Sequence, residues 1–230
     1  LRNNIRLREA SSMVNALRKD ALTGLYNRET FFSKVEALVR AKAPGYYVLT
    51  CFDINNFKVV NDRYGNAKGD EALKAIAKQL REGVTPLGGV CARITADRFA
   101  ALYPSLYMDS PETAAILEAM SRLDGSIPPL RLNIGCYLVD DLTLSVSAMY
   151  DRANIAQRTI KGRYDIHVAL YDESMRTRIL REQAIVGEMN GALACGQFEV
   201  WFQPQYNHAT GALIGAEALV RWRDAQSGMI

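Results

Sequence analysis

Asp53, Asn61, Asp62 and Asp70 are the residues of this sequence whose types and spacing suit chemistry on a small polar molecule. Asp53 ends an apolar, aromatic-rich run, from Tyr46 through Cys51 and Phe52, that follows the breaker pair Pro44-Gly45 and predicts a buried strand. A carboxylate at the C-terminal edge of such a strand lies where α/β sheets bind ligands. Phe57, Val59 and Val60 are the apolar points of the next segment. Asn61, Asp62, Gly65, Gly69 and Asp70 then supply polar and turn residues that can converge on one ligand. The competing reading makes Asp53 a helix cap and the others plain turn residues. The spacing alone leaves both open.

The elements around this stretch alternate. The spacing predicts helices over 29–40, 70–82, 111–123, 145–160 and 175–193, each with apolar residues on one stripe. Strands are predicted at 90–94 and 99–103, joined through Thr95-Ala96-Asp97-Arg98, and at 130–139 and 168–171. The first pair reads as a hairpin whose turn lacks glycine at its centre. Alternating strands and helices argue for an α/β sandwich. After a boundary at 172–174 come a helix and two further strands, 198–203 and 212–222. Residues 1–19 carry Leu7, Ala10, Val14 and Leu17 at heptad-like spacing. That pattern fits either a signalling helix pairing with a second copy of the chain or a helix packing on its own domain.

Composition narrows the class. The 230 residues are 49% hydrophobic, as a packed core requires. The net charge of +3 is small and dispersed, so there is no electrostatic case for a nucleic-acid partner. Cys51, Cys91, Cys136 and Cys195 are far apart in apolar surroundings and read as reduced core residues of a cytoplasmic protein. No apolar run approaches the roughly 20 residues of a membrane span. Leu1 is not an initiator methionine, so an excised fragment is expected.

Two multi-point resemblances follow. Asp20-x-Leu22-Thr23-Gly24-Leu25-x-Asn27-Arg28, with Asp53-Ile54-Asn55-x-Phe57-Lys58-x-x-Asn61-Asp62-x-x-Gly65-x-x-x-Gly69-Asp70, resembles the opening of a GGDEF domain, the bacterial diguanylate cyclase fold. Phe198-x-x-Trp201-Phe202-Gln203-Pro204, Gly211 and Glu217-Ala218-Leu219-Val220-Arg221-Trp222 resemble the start of an EAL domain, a cyclic di-GMP phosphodiesterase. The resemblance implies a nucleotidyl-cyclase-like palm sheet flanked by helices over 20–172. It also implies a linker helix and the opening of an incomplete TIM barrel over 173–230. In the cyclases, two GTP molecules in facing domains condense to cyclic di-GMP with Mg²⁺, a hard cation that takes oxygen ligands and phosphate. Asp53 and the Ile54 carbonyl match metal ligands, and Asp97 can still serve as one. Asn61 and Asp70 match guanine-reading positions, and Lys58 and Arg158 fall at or near cationic positions suited to phosphate, the second being Arg where the family usually has Lys.

The departures from the family pattern matter as much. The Gly-Gly-Asp-Glu-Phe signature reads Thr95-Ala96-Asp97-Arg98-Phe99. Two glycines that turn the backbone freely are lost. Arg98 puts a cation where a carboxylate belongs, and its repulsion of Mg²⁺ is on the order of kcal/mol. The feedback RxxD window reads Pro86-Leu87-Gly88-Gly89, and Asn55, Asn56 and Asn66 replace frequent family residues. Cyclase activity is therefore not expected. The surviving Asn61 and Asp70 leave two readings equally open, GTP binding without turnover that regulates the EAL domain and an inert scaffold or effector module; a residual cyclase is a further alternative.

In the second segment, Glu217 matches the first EAL metal ligand, for Mg²⁺ or Mn²⁺, and Gln203 and Arg221 match substrate-contacting positions. A TIM barrel needs eight strands and about 250 residues. The fragment is therefore not expected to hydrolyse cyclic di-GMP itself, although its parent is. An upstream sensor domain, and membrane tethering upstream of it, are compatible with this reading.

Overall fold

A computed structural model describes residues 17–122, 129–163, 165–224 and 228–229. The helix expected over 1–19 lies, except for its last three residues, outside the described residues. The chain divides into two compact units between Met175 and Arg176.

In the first unit, helix α1 (Arg28–Arg40) leads to strand β1 (Tyr47–Ile54). Asn27 caps α1 by accepting a hydrogen bond from the Thr30 amide. Helices α2 (Phe57–Tyr64) and α3 (Asn66–Val84) follow, broken at Gly65 with φ +83°. The segment between Asp53 and Asp70 is thus a helix of its own, and α3 starts four residues before the position its apolar stripe suggested. Strands β2 (Val90–Thr95) and β3 (Arg98–Pro104) form the expected hairpin. Helix α4 (Pro111–Ser121), strand β4 (Leu132–Leu138), helix α5 (Val146–Thr159) and the short strand β5 (Val168–Leu170) complete the unit.

The sheet order is β2-β3-β1-β4-β5, with β1 antiparallel to both neighbours and β5 parallel to β4. This is the split βαβ arrangement the palm resemblance implies. All eight residues of β1 are buried because helices cover both faces. Val48, Phe52 and Ile54 pack with α3 residues Ile76, Ala77 and Leu80, while Tyr47, Leu49 and Cys51 pack with Val35, Met149 and Ala153 of α1 and α5. By the same alternation Asp53 falls on the α5 face.

The hairpin turn keeps its shape without glycine. Ala96 adopts φ +47°, a left-handed conformation that costs an L-residue about 1–2 kcal/mol. Part of that cost is offset by the lower entropy of alanine in the unfolded chain. Ala96→Gly should therefore stabilise the unit by about 0.5–1 kcal/mol, read as a higher urea midpoint at unchanged slope. A raised slope or a lower midpoint would contradict the strain.

Three cysteines are buried and Cys195 is exposed, so the last is not the core residue expected. Burial pushes the Cys51, Cys91 and Cys136 thiols up to about 12, which keeps them protonated and inert.

The second unit takes in most of helix α6 (Glu173–Ala194), then β6 (Phe198–Tyr206) and β7 (Leu213–Asp224), an antiparallel hairpin extended by β8 (Gly228–Met229). Trp222 is buried and donates from Nε1 to Gln197 Oε1 at 2.9 Å. Val200, Trp201, Phe202, Leu213, Ile214 and Val220 are exposed along the hairpin. Among the described residues, no helix is long and apolar enough to cross a membrane.

Candidate functional site

The site forms at the C-terminal edge of β1. Phe52 pairs with Phe99 across β1 and β3, and their rings stack at 5.3 Å. The register therefore carries Asp97 and Arg98, at the hairpin turn, level with Asp53. On the other side Asp53 pairs with Asn133 of β4. Lys161, just past the end of α5, brings its Nζ to 3.8 Å from Asp53 Oδ2.

Asp53 is 8% exposed, and its Oδ1 is buried without a hydrogen-bond partner. Burial raises its pKa; Lys161 pulls it down, Asp97 pushes it up and Arg98 pulls it down, for a net rise. Asn133 is near enough to lower it slightly, yet no hydrogen bond of normal geometry joins the two, and both Asn133 polar atoms are unpaired.

Asn61 and Asp70 lie on the two helices that follow β1. Asn61 sits on α2, and its Oδ1 is buried against Gly69 of α3. A Cβ on Gly69 would stand 1.9 Å from that oxygen, so only glycine leaves room for the Asn61 amide in this position. Asp70, the next residue, is exposed, as is Lys58 in the first turn of α2. Arg158, in the last turn of α5, is exposed too, and the cation that reaches Asp53 is Lys161, three residues on.

The hairpin is tied to the start of the unit by Arg93. Its Nε donates to the Ala96 carbonyl at 2.6 Å, and its Nη1 donates to Asp20 Oδ1 at 3.1 Å. The same Asp20 oxygen accepts from the Thr23 amide and hydroxyl. Burial alone would raise the Asp20 pKa, but the bonds from Thr23 and Arg93 hold it below its ordinary 3.8. A depressed carboxylate stabilises the fold fully above its unfolded pKa and loses that contribution as pH falls through the folded one. Arg93→Ala should cost about 1.5–3 kcal/mol at neutral pH and flatten the loss of stability below about pH 4. Urea titrations at pH 7 and in acid read both effects, and an unchanged acid limb would count against the clamp.

Sequence reasoning missed Arg93, Asn133 and Lys161. Asn133 had a signal, a polar residue inside the apolar run 130–139. Lys161 had none beyond a cation after a helix end, which reads first as complementing the helix dipole.

The donor set is poor for a divalent ion. Asp53 and Asp97 are the carboxylates at the edge, and Lys161 and Arg98 stand beside them. Among the described residues no three His, Cys, Asp or Glu side chains form a group that could hold a metal. A cavity of about 300 Å³ lined by Phe52, Tyr103, Met120 and Cys136 lies under the sheet and includes none of Asp53, Asn61 or Asp97.

In the second unit, Gln203 pairs with Glu217 across β6 and β7, so these two predicted site residues are direct cross-strand neighbours. Arg221 pairs with Glu199 four residues, two pleat repeats, further along.

Residues 17–164 match the family "Diguanylate cyclase, GGDEF domain", and residues 187–230 match the EAL domain. The cyclic di-GMP phosphodiesterase NbdA of Pseudomonas aeruginosa is 27% identical over 96% of this chain and 29% of its own length. The first curated relatives are all much longer, and the chain spans 26–29% of them. The S helix-GGDEF-EAL structure of LapD from Vibrio cholerae, bound to c-di-GMP, superposes with a TM-score of 0.65 at 17% identity, covering 96% of this chain and 53% of that one. The coiled coil and GGDEF domain of DgcB from Caulobacter crescentus superposes with a TM-score of 0.59 at 22% identity, covering 73% and 93%. With its palm sheet, its altered hairpin and the EAL match that follows, the chain belongs to the diguanylate cyclase GGDEF family, in the GGDEF-EAL order of cyclic di-GMP signalling proteins.

Proposed function

We propose that the GGDEF domain binds GTP without condensing it, and that its occupancy regulates an EAL phosphodiesterase whose opening segment is 187–230. The observation that carries this reading is the Asn61–Gly69–Asp70 corner. The Asn61 amide, suited to a guanine edge, lies against Gly69 at a close helix approach, and the exposed Asp70 carboxylate follows Gly69 directly on the same helix, while the hairpin that would complete a cyclase site carries Thr95, Ala96 and Arg98. A carboxylate accepts from the guanine N–H groups, and an adenine, lacking them, leaves it unpaired. Lys58 and Arg158 would take the phosphates, since both are exposed cations on helix turns facing solvent.

Glu217, Gln203 and Arg221 would contribute one metal ligand and two substrate contacts to the full barrel, with Mg²⁺ or Mn²⁺ activating the attacking water when bound. The EAL family match and the name of the relative NbdA, a cyclic di-GMP phosphodiesterase, support a dinucleotide substrate.

Isothermal titration decides the first half. GTP added in Mg²⁺ buffer should release heat of saturable binding, ATP should bind at least about tenfold more weakly, and no cyclic di-GMP should appear on incubation. No heat at millimolar GTP would overturn the nucleotide reading, and formation of cyclic di-GMP would restore the cyclase.

A further inference from the structure

Among the described residues, the strand edge that ends in Asp53 brings together two carboxylates, Asp53 and Asp97, and two cations, Lys161 and Arg98. Asp53 offers one usable oxygen. Its Oδ1 is sealed from solvent, and its Oδ2 is the oxygen that the Lys161 ammonium approaches at 3.8 Å. Asp97, the second carboxylate, is followed directly by Arg98, which the β1–β3 register sets level with Asp53. Mg²⁺ demands near-octahedral oxygen ligands and dehydrates reluctantly, so it binds through freely presented carboxylates together with phosphates. Here it would have to displace Lys161 and sit beside Arg98.

Packing sets where the Lys161 backbone lies, while its side chain stays largely exposed. Gly135 of β4 lets the α5 backbone approach so closely that a Cβ there would lie 1.9 Å from the Ala153 carbonyl oxygen. That packing brings the C-terminal end of α5, and Lys161 after it, over the face of the sheet on which Asp53 and Asn133 lie.

We propose that the place of the divalent metal is taken in this chain by its own cations, the Lys161 ammonium and the Arg98 guanidinium, so that the site accepts a nucleoside triphosphate free of metal. The two cations neutralise Asp53 and Asp97. The phosphates then meet no bare carboxylate, and Lys58 and Arg158 remain to pair with them. The metal-free nucleotide rests on the nucleotide reading above, whereas the exclusion of the ion does not.

Two measurements separate these. In the first, Mn²⁺ alone is titrated and followed by electron paramagnetic resonance. The unaltered chain should leave Mn²⁺ free at concentrations where the double variant Lys161→Met, Arg98→Glu binds it, and adding Asp53→Ala to that variant should abolish binding. Lys161→Met alone, a change at an exposed side chain, should give a partial gain. Mn²⁺ bound by the unaltered chain and lost with Asp53→Ala would overturn the proposal. In the second, a fluorescent GTP analogue is titrated with excess Mg²⁺ and with excess EDTA. The two affinities should agree within about threefold, and a loss of about tenfold or more in EDTA would overturn the proposal while leaving GTP binding intact. If the analogue binds in neither buffer, the nucleotide reading falls, and the Mn²⁺ titration still decides whether the cations exclude the ion.

Discussion

Gly135→Ala should cost the first unit about 3 kcal/mol or more, a large part of the 5–15 kcal/mol that holds a typical domain together. The added Cβ would meet the Ala153 carbonyl oxygen at 1.9 Å, the Gln157 amide nitrogen at 2.4 Å and the Gln157 Cβ at 2.7 Å. Two of these three neighbours are backbone atoms inside α5, so no rotamer change relieves the overlap, and the helix must lift from β4. That lift opens contacts of Met149 and Ala153 with the α5-face core, both almost fully buried. A shift of about 3 kcal/mol lowers the melting temperature of a domain this size by roughly 10 °C. Calorimetry on the variant checks this directly. A change under about 2 °C would mean that α5 does not pack on β4 as closely as described. The variant should also weaken the Lys161–Asp53 pair, because Lys161 travels with the end of α5.

Gly69→Ala is predicted to do the reverse: to spare the fold and remove guanine recognition. The added Cβ would fall 1.9 Å from Asn61 Oδ1 and 3.1 Å from Phe57 Cζ, both the far ends of side chains that can rotate away. Alanine also suits the interior of α3 better than glycine by about 0.5–1 kcal/mol. Stability should therefore stay within about 1 kcal/mol of the original. Asn61, however, must leave its position against Gly69. Losing one correctly placed hydrogen bond to the base costs about 1–3 kcal/mol, which weakens GTP binding by about tenfold to a hundredfold while ATP binding hardly changes. Parallel titrations of GTP and ATP against the variant measure that ratio. Equal losses for both nucleotides would assign Gly69 a purely structural role.

These two glycines show where reading the sequence stops. Both were visible, and Gly69 was singled out, but as a turn residue of a motif. The structure places Gly69 inside α3 and Gly135 inside β4, and gives each the same physical reason: another backbone or side chain passes where a Cβ would stand. A sequence marks a glycine but not what approaches it. The hairpin is the opposite case. Its strands, its lack of glycine and the charge of Arg98 were all legible, and the structure added only that Ala96 takes a left-handed conformation and that Arg93 clamps the turn to Asp20.

The amino-acid sequence by itself determined the family, the order of the elements apart from helix α2, the burial of β1 and the loss of the signature glycines and glutamate. Each of these depends on residue type and local spacing, which the linear chain states outright. Only the tertiary structure decided which cation faces Asp53. Arg158 lies in the last turn of α5 and Lys161 three residues on, just past its end, and both are basic residues. The phase of α5 against β4, fixed by the contact at Gly135, brings Lys161 rather than Arg158 to the carboxylate, and that phase is a property of packing between segments far apart in the chain.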